Sequence, residues 1–216
     1  MTLGPETDPH RGQPILSAGA DLADARAAVI MLHGRGADAA DILGLAQVLA
    51  RPALAYLAPD AAGHAWYPYR FIVPAAQNEP YLSSALLVVA RLLDRLAAAG
   101  IPAERTALLG FSQGACLGLE FAARNPRRYG AVLAFSGGLI GDRIDPATYP
   151  GSLAGTPVFL GCSDVDAHIP LPRVKESTEV MRRLGADVVE RIYPGMAHTI
   201  SADEIAEGQR RLDRMA

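Results

Sequence analysis

Five consecutive residues, Gly110-Phe111-Ser112-Gln113-Gly114, set a serine between two glycines, each two positions away. An apolar run at 105–110 (RTALLG) precedes the serine, and a segment of helical spacing from Gln113 to Arg124 follows it and stops before Pro126. That context makes a tight strand-to-helix turn, in which the glycines omit Cβ atoms that would collide and the serine is held in a strained conformation. The same turn leaves the Gln113 amide at a helix N-terminus, where it can donate to a developing oxyanion. A serine hydroxyl is a weak nucleophile at neutral pH and needs an adjacent base, itself oriented by a third group. His198, in the loop Pro194-Gly195-Met196-Ala197-His198, is the candidate base. The loop from Gly161 to Pro170 offers Asp166 and Asp164 as the orienting acid. Asp166 is preferred because its place ahead of Ile169 and Pro170 suits a turn leading into a helix, with Asp164 serving that loop as a turn or capping residue. Asp142 and Asp145 rank below both. The glycine-bracketed turn Leu32-His33-Gly34-Arg35-Gly36 supplies the second oxyanion donor, the Arg35 amide. His33 reads as a buried, hydrogen-bonded structural residue. The Arg35 side chain has two readings of equal weight, exposure to solvent or a place over the mouth of the site, attracting an acidic substrate.

Residues so far apart in the chain meet only on a scaffold that gathers loop ends. Apolar runs of four to seven residues alternate with longer helical segments, the pattern of a mostly parallel sheet covered on both faces. The runs at 27–32, 54–58, 105–110, 131–135, 157–161 and 187–192 are read as strands. Helices are read at 38–50, at 83–99 (apolar over most of its circumference and therefore buried), at 113–124, at about 172–184 and at about 202–214. Ser201 and Glu204 fit a capping box at the start of the last helix. Residues 13–18 read as an antiparallel edge strand. His198, Asp166 and Arg35 then follow the carboxyl ends of strands, where open α/β sheets place their ligand sites. The division expected is a mobile lead over residues 1–12 and one domain over 13–216.

Composition excludes several classes. The chain has 216 residues, of which 50% are hydrophobic, enough for one core and too few for several. Twenty Lys and Arg against 23 Asp and Glu leave a net charge of -3, which gives nucleic acid and anionic membrane surfaces no electrostatic footing. The arginines of the 182–214 stretch alternate with acids and read as a solvated helix face. No apolar run is long enough for a signal peptide or a bilayer span, so the expectation is a soluble, cytoplasmic protein without integral membrane association. Cys116 and Cys162 match no metal spacing and read as reduced core residues.

The chain resembles the phospholipase/carboxylesterase family of α/β-hydrolases, the group that includes acyl-protein thioesterases and small bacterial carboxylesterases. The resemblance runs from about residue 27 through LHGRG at 32–36, APDA at 58–61, the Trp66 segment, GFSQGA at 110–115, SGG at 136–138, the turn from Asp166 to Pro170 and GMAH at 195–198. It implies a three-layer α/β-hydrolase fold, Ser112, Asp166 and His198 as a catalytic triad, the Arg35 and Gln113 amides as the oxyanion hole, and no metal or organic cofactor. The 19 residues from 137 to 155 are too few for a large helical cap, so an open, shallow site is expected. Trp66, Tyr67, Tyr69, Asn78, Leu139 and His168 are the candidate pocket residues. The segment from Trp66 to Tyr81 departs from the acyl-protein thioesterases, and His168 stands where that group usually carries an aliphatic residue. The function expected is hydrolysis of small carboxylic esters through an acyl-enzyme on Ser112. An acyl thioesterase or lysophospholipase acting on longer chains is the alternative, and a non-catalytic binding module on the same fold is the remote one. The partner expected is a small ester or thioester, with a homodimer left open.

Overall fold

The computed structural model describes residues 8–215. Seven strands form one sheet: β1 (Ile15–Gly19), β2 (Ala28–Leu32), β3 (Ala55–Pro59), β4 (Thr106–Phe111), β5 (Ala131–Phe135), β6 (Pro157–Ser163) and β7 (Asp187–Tyr193). Their spatial order is β1-β3-β2-β4-β5-β6-β7, with β1 antiparallel on the edge and every other pair parallel. Strands β2, β3 and β5 are buried at every position, which is why they read as unbroken apolar runs rather than as alternating ones.

Five helices cover the sheet: α1 (Ala39–Leu49), α2 (Tyr81–Ala98), α3 (Gln113–Arg124), α4 (Leu171–Arg183) and α5 (Ala202–Leu212). One apolar layer gathers side chains of α2, α3 and α4, and the other those of α1 and α5. The expected capping box is present at Ser201 and Glu204, and a second closes on Asp38 and Asp41 ahead of α1. Between residues 137 and 155 the described chain holds only the short turn Pro146–Thr148, so no cap covers the sheet edge.

The register decides where the site lies. Leu32 pairs with Gly110, Phe111 with Phe135, Phe135 with Gly161 and Ser163 with Tyr193. The segments that leave these strands, carrying Arg35, Ser112, Asp166 and His198, therefore emerge along one edge of the sheet.

Three expectations change. Helix α2 is not buried all round: Arg91, Asp94 and Arg95 form an exposed face, and α3 is the helix whose first eleven residues are all buried. In the basic stretch Arg182, Arg183, Arg210 and Arg214 are exposed, but Arg211 is buried, paired with Glu207 and stacked 5.2 Å from the centroid of Phe159. Its flat guanidinium lies on the ring and finds its counter-charge one helical turn away.

The third concerns the lead. Residues 1–7 lie outside the described residues, but Asp8 and His10 are packed into the body of the protein. The Asp8 carboxylate accepts from Ser84 Oγ at 2.6 Å and from Arg91 at 2.6 Å. His10 Nε2 donates to the Trp66 carbonyl at 2.9 Å while its Nδ1 accepts the Ala62 amide at 3.0 Å.

His33 is arranged alike, with Nε2 accepting the Ala61 amide at 3.0 Å and Nδ1 donating to the Gly34 carbonyl at 2.8 Å. Both rings must be neutral to accept those amides. Burial holds both below the usual histidine range, against the opposing pull of the carbonyls they donate to. The unfolded chain takes up these protons as the pH drops below about 6.5 and the folded chain does not, so stability rises with pH through that window and falls on acidification. His10→Ala leaves the Ala62 amide and the Trp66 carbonyl unpaired and should cost about 1–3 kcal/mol at pH 7. Melting temperatures from pH 7 to pH 5 should fall in the wild type and fall less steeply in His10→Ala; parallel curves would contradict this.

Candidate active site

Ser112 sits at the junction of β4 and α3 with φ 54° and ψ -116°, a conformation that costs a non-glycine residue about 1–3 kcal/mol. The flanking glycines are there because nothing larger fits. A Cβ on Gly110 would lie 2.3 Å from the Gly114 carbonyl group, and one on Gly114 would lie 2.0 Å from the Leu32 carbonyl oxygen. The first turn of α3 is thus pressed against the end of β2. On the other side the Ser112 amide donates to the Phe135 carbonyl at 2.9 Å. Strand ends on both sides fix the turn, and the hydroxyl projects from it.

That hydroxyl is 2.9 Å from His198 Nε2, and His198 Nδ1 is 2.6 Å from Asp166 Oδ2. With the serine donating to Nε2, the imidazole carries its proton on Nδ1 and gives it to the carboxylate. The other Asp166 oxygen accepts the amides of His168 at 2.8 Å and Ile169 at 3.0 Å. Burial raises the Asp166 carboxyl, but the bonds from His198 and these two amides outweigh it and hold the group below the usual aspartate range. Asp166 therefore stays ionised although its side chain is fully buried. Asp164, expected as a turn or capping residue of its own loop, bonds instead to another loop. Its carboxylate accepts the Gly195 amide at 2.8 Å and ties the acid's loop to the histidine's. Asp145 caps the short turn at Ala147, and neither it nor Asp142 lines the cleft.

The amides of Arg35 and Gln113 donate to no protein acceptor among the described residues. The turn carrying Arg35 abuts Ser112, since a Cβ on Gly34 would touch Ser112 Cβ at 3.5 Å. The Arg35 side chain is exposed and lines the cleft, with its guanidinium bonded to loop carbonyls. It donates to the carbonyls of Tyr67 at 2.7 Å, Pro68 at 3.0 Å and Tyr69 at 2.8 Å. The Gln113 side chain, for which the sequence suggested no use, accepts the Trp66 amide at 2.8 Å and donates to the Tyr67 carbonyl at 2.9 Å. Both residues flanking the nucleophile thus hold the 66–69 loop with their side chains.

That loop forms one wall of a cleft of about 250 Å³ above Ser112. Of the expected pocket residues, Tyr67, Tyr69 and His168 line it, and Trp66, Asn78 and Leu139 do not. Trp66 is buried beneath, its indole donating to the His33 carbonyl at 2.9 Å. Asn78 is buried and bridges the Tyr69 amide and the Arg70 carbonyl. Leu139 lies in the core with its amide on Ser177 Oγ. The lining residues not foreseen as such include Phe71, Cys116 and Ile169. Arg70 lines the cleft too. The irregular stretch around residues 62–80 has no periodicity from which a facing side could be read.

Neither cysteine is placed to react as a thiolate. Burial pushes the Cys116 thiol up to about 12 and, helped by the Asp166 charge, the Cys162 thiol up to about 12 as well. No group of three or more His, Cys, Asp or Glu placed to hold a metal ion occurs among the described residues.

The model of the phospholipase/carboxylesterase family matches residues 19–215. The chain is 44% identical to the phospholipase/carboxylesterase from Dyadobacter fermentans DSM 18053, whose crystal structure superposes with a TM-score of 0.90 over 93% of this chain and 96% of that one. It is 27% identical to esterase PE8, with a TM-score of 0.74 over 94% of this chain and 98% of that one. It is also 29% identical, over 85% of its length and 89% of the relative's, to acyl-protein thioesterase 1 of Candida albicans (strain SC5314 / ATCC MYA-2876).

The glycine geometry gives a paired test. Gly118 lies one turn beyond Gly114, and a Cβ there would meet only Leu32 Cδ1, at an ordinary 3.6 Å. Gly118→Ala should leave stability unchanged or raise it by up to about 1 kcal/mol through helix propensity. Gly114→Ala, which must displace backbone, should cost about 3 kcal/mol or more. Urea unfolding midpoints measure both, and equal midpoints would show that the close approach of α3 to β2 is not tight.

Proposed function

The chain belongs to the phospholipase/carboxylesterase family and is an ester hydrolase, and from that premise we propose that it is a serine carboxylesterase of short-chain esters with Ser112, His198 and Asp166 as its triad. The observation that carries this reading is the unbroken chain of hydrogen bonds, 2.9 Å and 2.6 Å long, that ends on a strained serine at the floor of an open cleft. In the proposed cycle Ser112 Oγ attacks the ester carbonyl as its proton passes to His198 Nε2. Asp166 keeps the imidazole in the tautomer that can take this proton and stabilises the imidazolium that results. The tetrahedral oxyanion forms against the amides of Arg35 and Gln113, which no protein acceptor occupies among the described residues. His198 then returns the proton to the departing alkoxide, leaving an acyl group on Ser112. Water, deprotonated in turn by His198, releases the acid and restores the serine. A binding module without catalysis has no need of this relay.

The short-chain preference follows from the size of the cleft, whose roughly 250 Å³ falls below the ~300–1,000 Å³ usual for drug-sized ligands. Long acyl chains, the alternative favoured by the likeness to acyl-protein thioesterase 1, would need an apolar channel beyond it. On p-nitrophenyl esters, kcat/KM should be highest for acyl groups of two to about six carbons and fall at least tenfold by twelve. A maximum at ten carbons or more would replace this reading with the long-chain one. Ser112→Ala and Asp166→Asn should fold normally and lower kcat on the order of 10⁴-fold or more. Full turnover by Ser112→Ala would end the proposal.

A further inference from the structure

We propose that the cleft selects esters bearing a carboxylate a few atoms from the scissile carbonyl, and that the Arg70 guanidinium is the group that receives it. The inference rests on the esterase reading above and names its substrate class.

The charged residues lining the cleft are Arg35 and Arg70, joined by two histidines, His168 and His198, and no aspartate or glutamate is among them. The carboxylate of the triad does not cancel this charge at the mouth. Asp166 stands behind His198 with a fully buried side chain, its oxygens occupied by the imidazole and two amides. The two arginines differ in what their guanidinium groups are free to do. Arg35 is committed to three backbone carbonyls. Arg70 makes a single long contact, from Nη2 to the His168 carbonyl at 3.4 Å, and no other side-chain hydrogen bond among the described residues. It is exposed, so the rest of its donor fork faces solvent at the rim.

Its placement is nonetheless fixed. Asn78, wholly buried, accepts the Tyr69 amide at 2.9 Å and donates to the Arg70 carbonyl at 3.3 Å, clamping the backbone on both sides of the residue. The contact with His168 sets the guanidinium beside the turn that carries Asp166, and the His168 ring lies 4.8 Å from that of His198. A planar fork matches a carboxylate with two parallel bonds, which an ammonium cannot do. A cation at the open mouth also draws anionic substrates from solution, an effect that salt screens.

Monoethyl glutarate and ethyl hexanoate, followed by pH-stat, are similar in length and differ in the terminal carboxylate. At low ionic strength the wild type should prefer the glutarate at least tenfold in kcat/KM, through KM, and 0.5 M NaCl should shrink the preference. Arg70→Ala should lower the ratio of the two kcat/KM values at least tenfold, and Arg70→Lys should restore part of it. A wild-type enzyme with no preference, or a ratio unmoved in Arg70→Ala, overturns the inference and leaves the esterase intact. If the wild type hydrolyses neither ester nor p-nitrophenyl acetate, the esterase reading itself fails, and this inference with it.

Discussion

The close approach of the first turn of α3 to the end of β2 is the constraint on which the rest of the site depends. Where Gly114 meets the Leu32 carbonyl there is no room for a methyl group, and that missing atom lets a helix start directly on the sheet edge. The serine before it is thereby forced to a positive φ, and its hydroxyl stands clear of the backbone. The same contact brings the turn after β2 against Ser112. The strain of about 1–3 kcal/mol at Ser112 persists because the elements around it over-determine the position. β4 is held between β2 and β5, both wholly buried, and α3 is buried along nearly its whole length.

A second set of polar contacts governs what the site can accept. The loop from Ala62 to Phe71 has almost no regular structure and would be a poor wall for a cleft if left to itself. Its amides and carbonyls are taken up by His10, Gln113, Arg35 and Asn78, four side chains from four separate parts of the chain. Buried loop backbone must find such partners or lose the cost of desolvation. Two of the four, Arg35 and Gln113, belong to the turns that meet at Ser112. The position of the wall is therefore tied to the turns around Ser112.

This division explains what could be read in advance. The elbow was legible at Gly110 and Gly114 because a steric requirement leaves few residue choices, and Asp166 and His198 could be placed because strand ends in a parallel sheet gather on one edge. The elements themselves followed from apolar runs and turn signals, with α2 misjudged because its apolar count concealed the charged strip of Arg91, Asp94 and Arg95. The loop was not legible in that way. Trp66, Asn78 and Leu139 have the chemistry of pocket residues, but the unsatisfied backbone behind the loop and the core beneath it claim them first. Arg211 looked like surface charge because an Arg one turn from Glu207 reads as an ordinary exposed pair, and nothing local reveals that Phe159 lies against it. Similarity to known esterases covers the scaffold, and residues such as Arg70 on this loop are where specificity can diverge.

The claim at the centre is that the fold activates one serine through one histidine. Reaction of the folded protein with a fluorophosphonate, followed by intact mass and peptide mapping, tests it without knowledge of the natural substrate. The expected result is a single adduct on Ser112 that is lost in His198→Ala. An adduct elsewhere, no adduct on folded protein, or equally fast labelling of Ser112 in His198→Ala would contradict it.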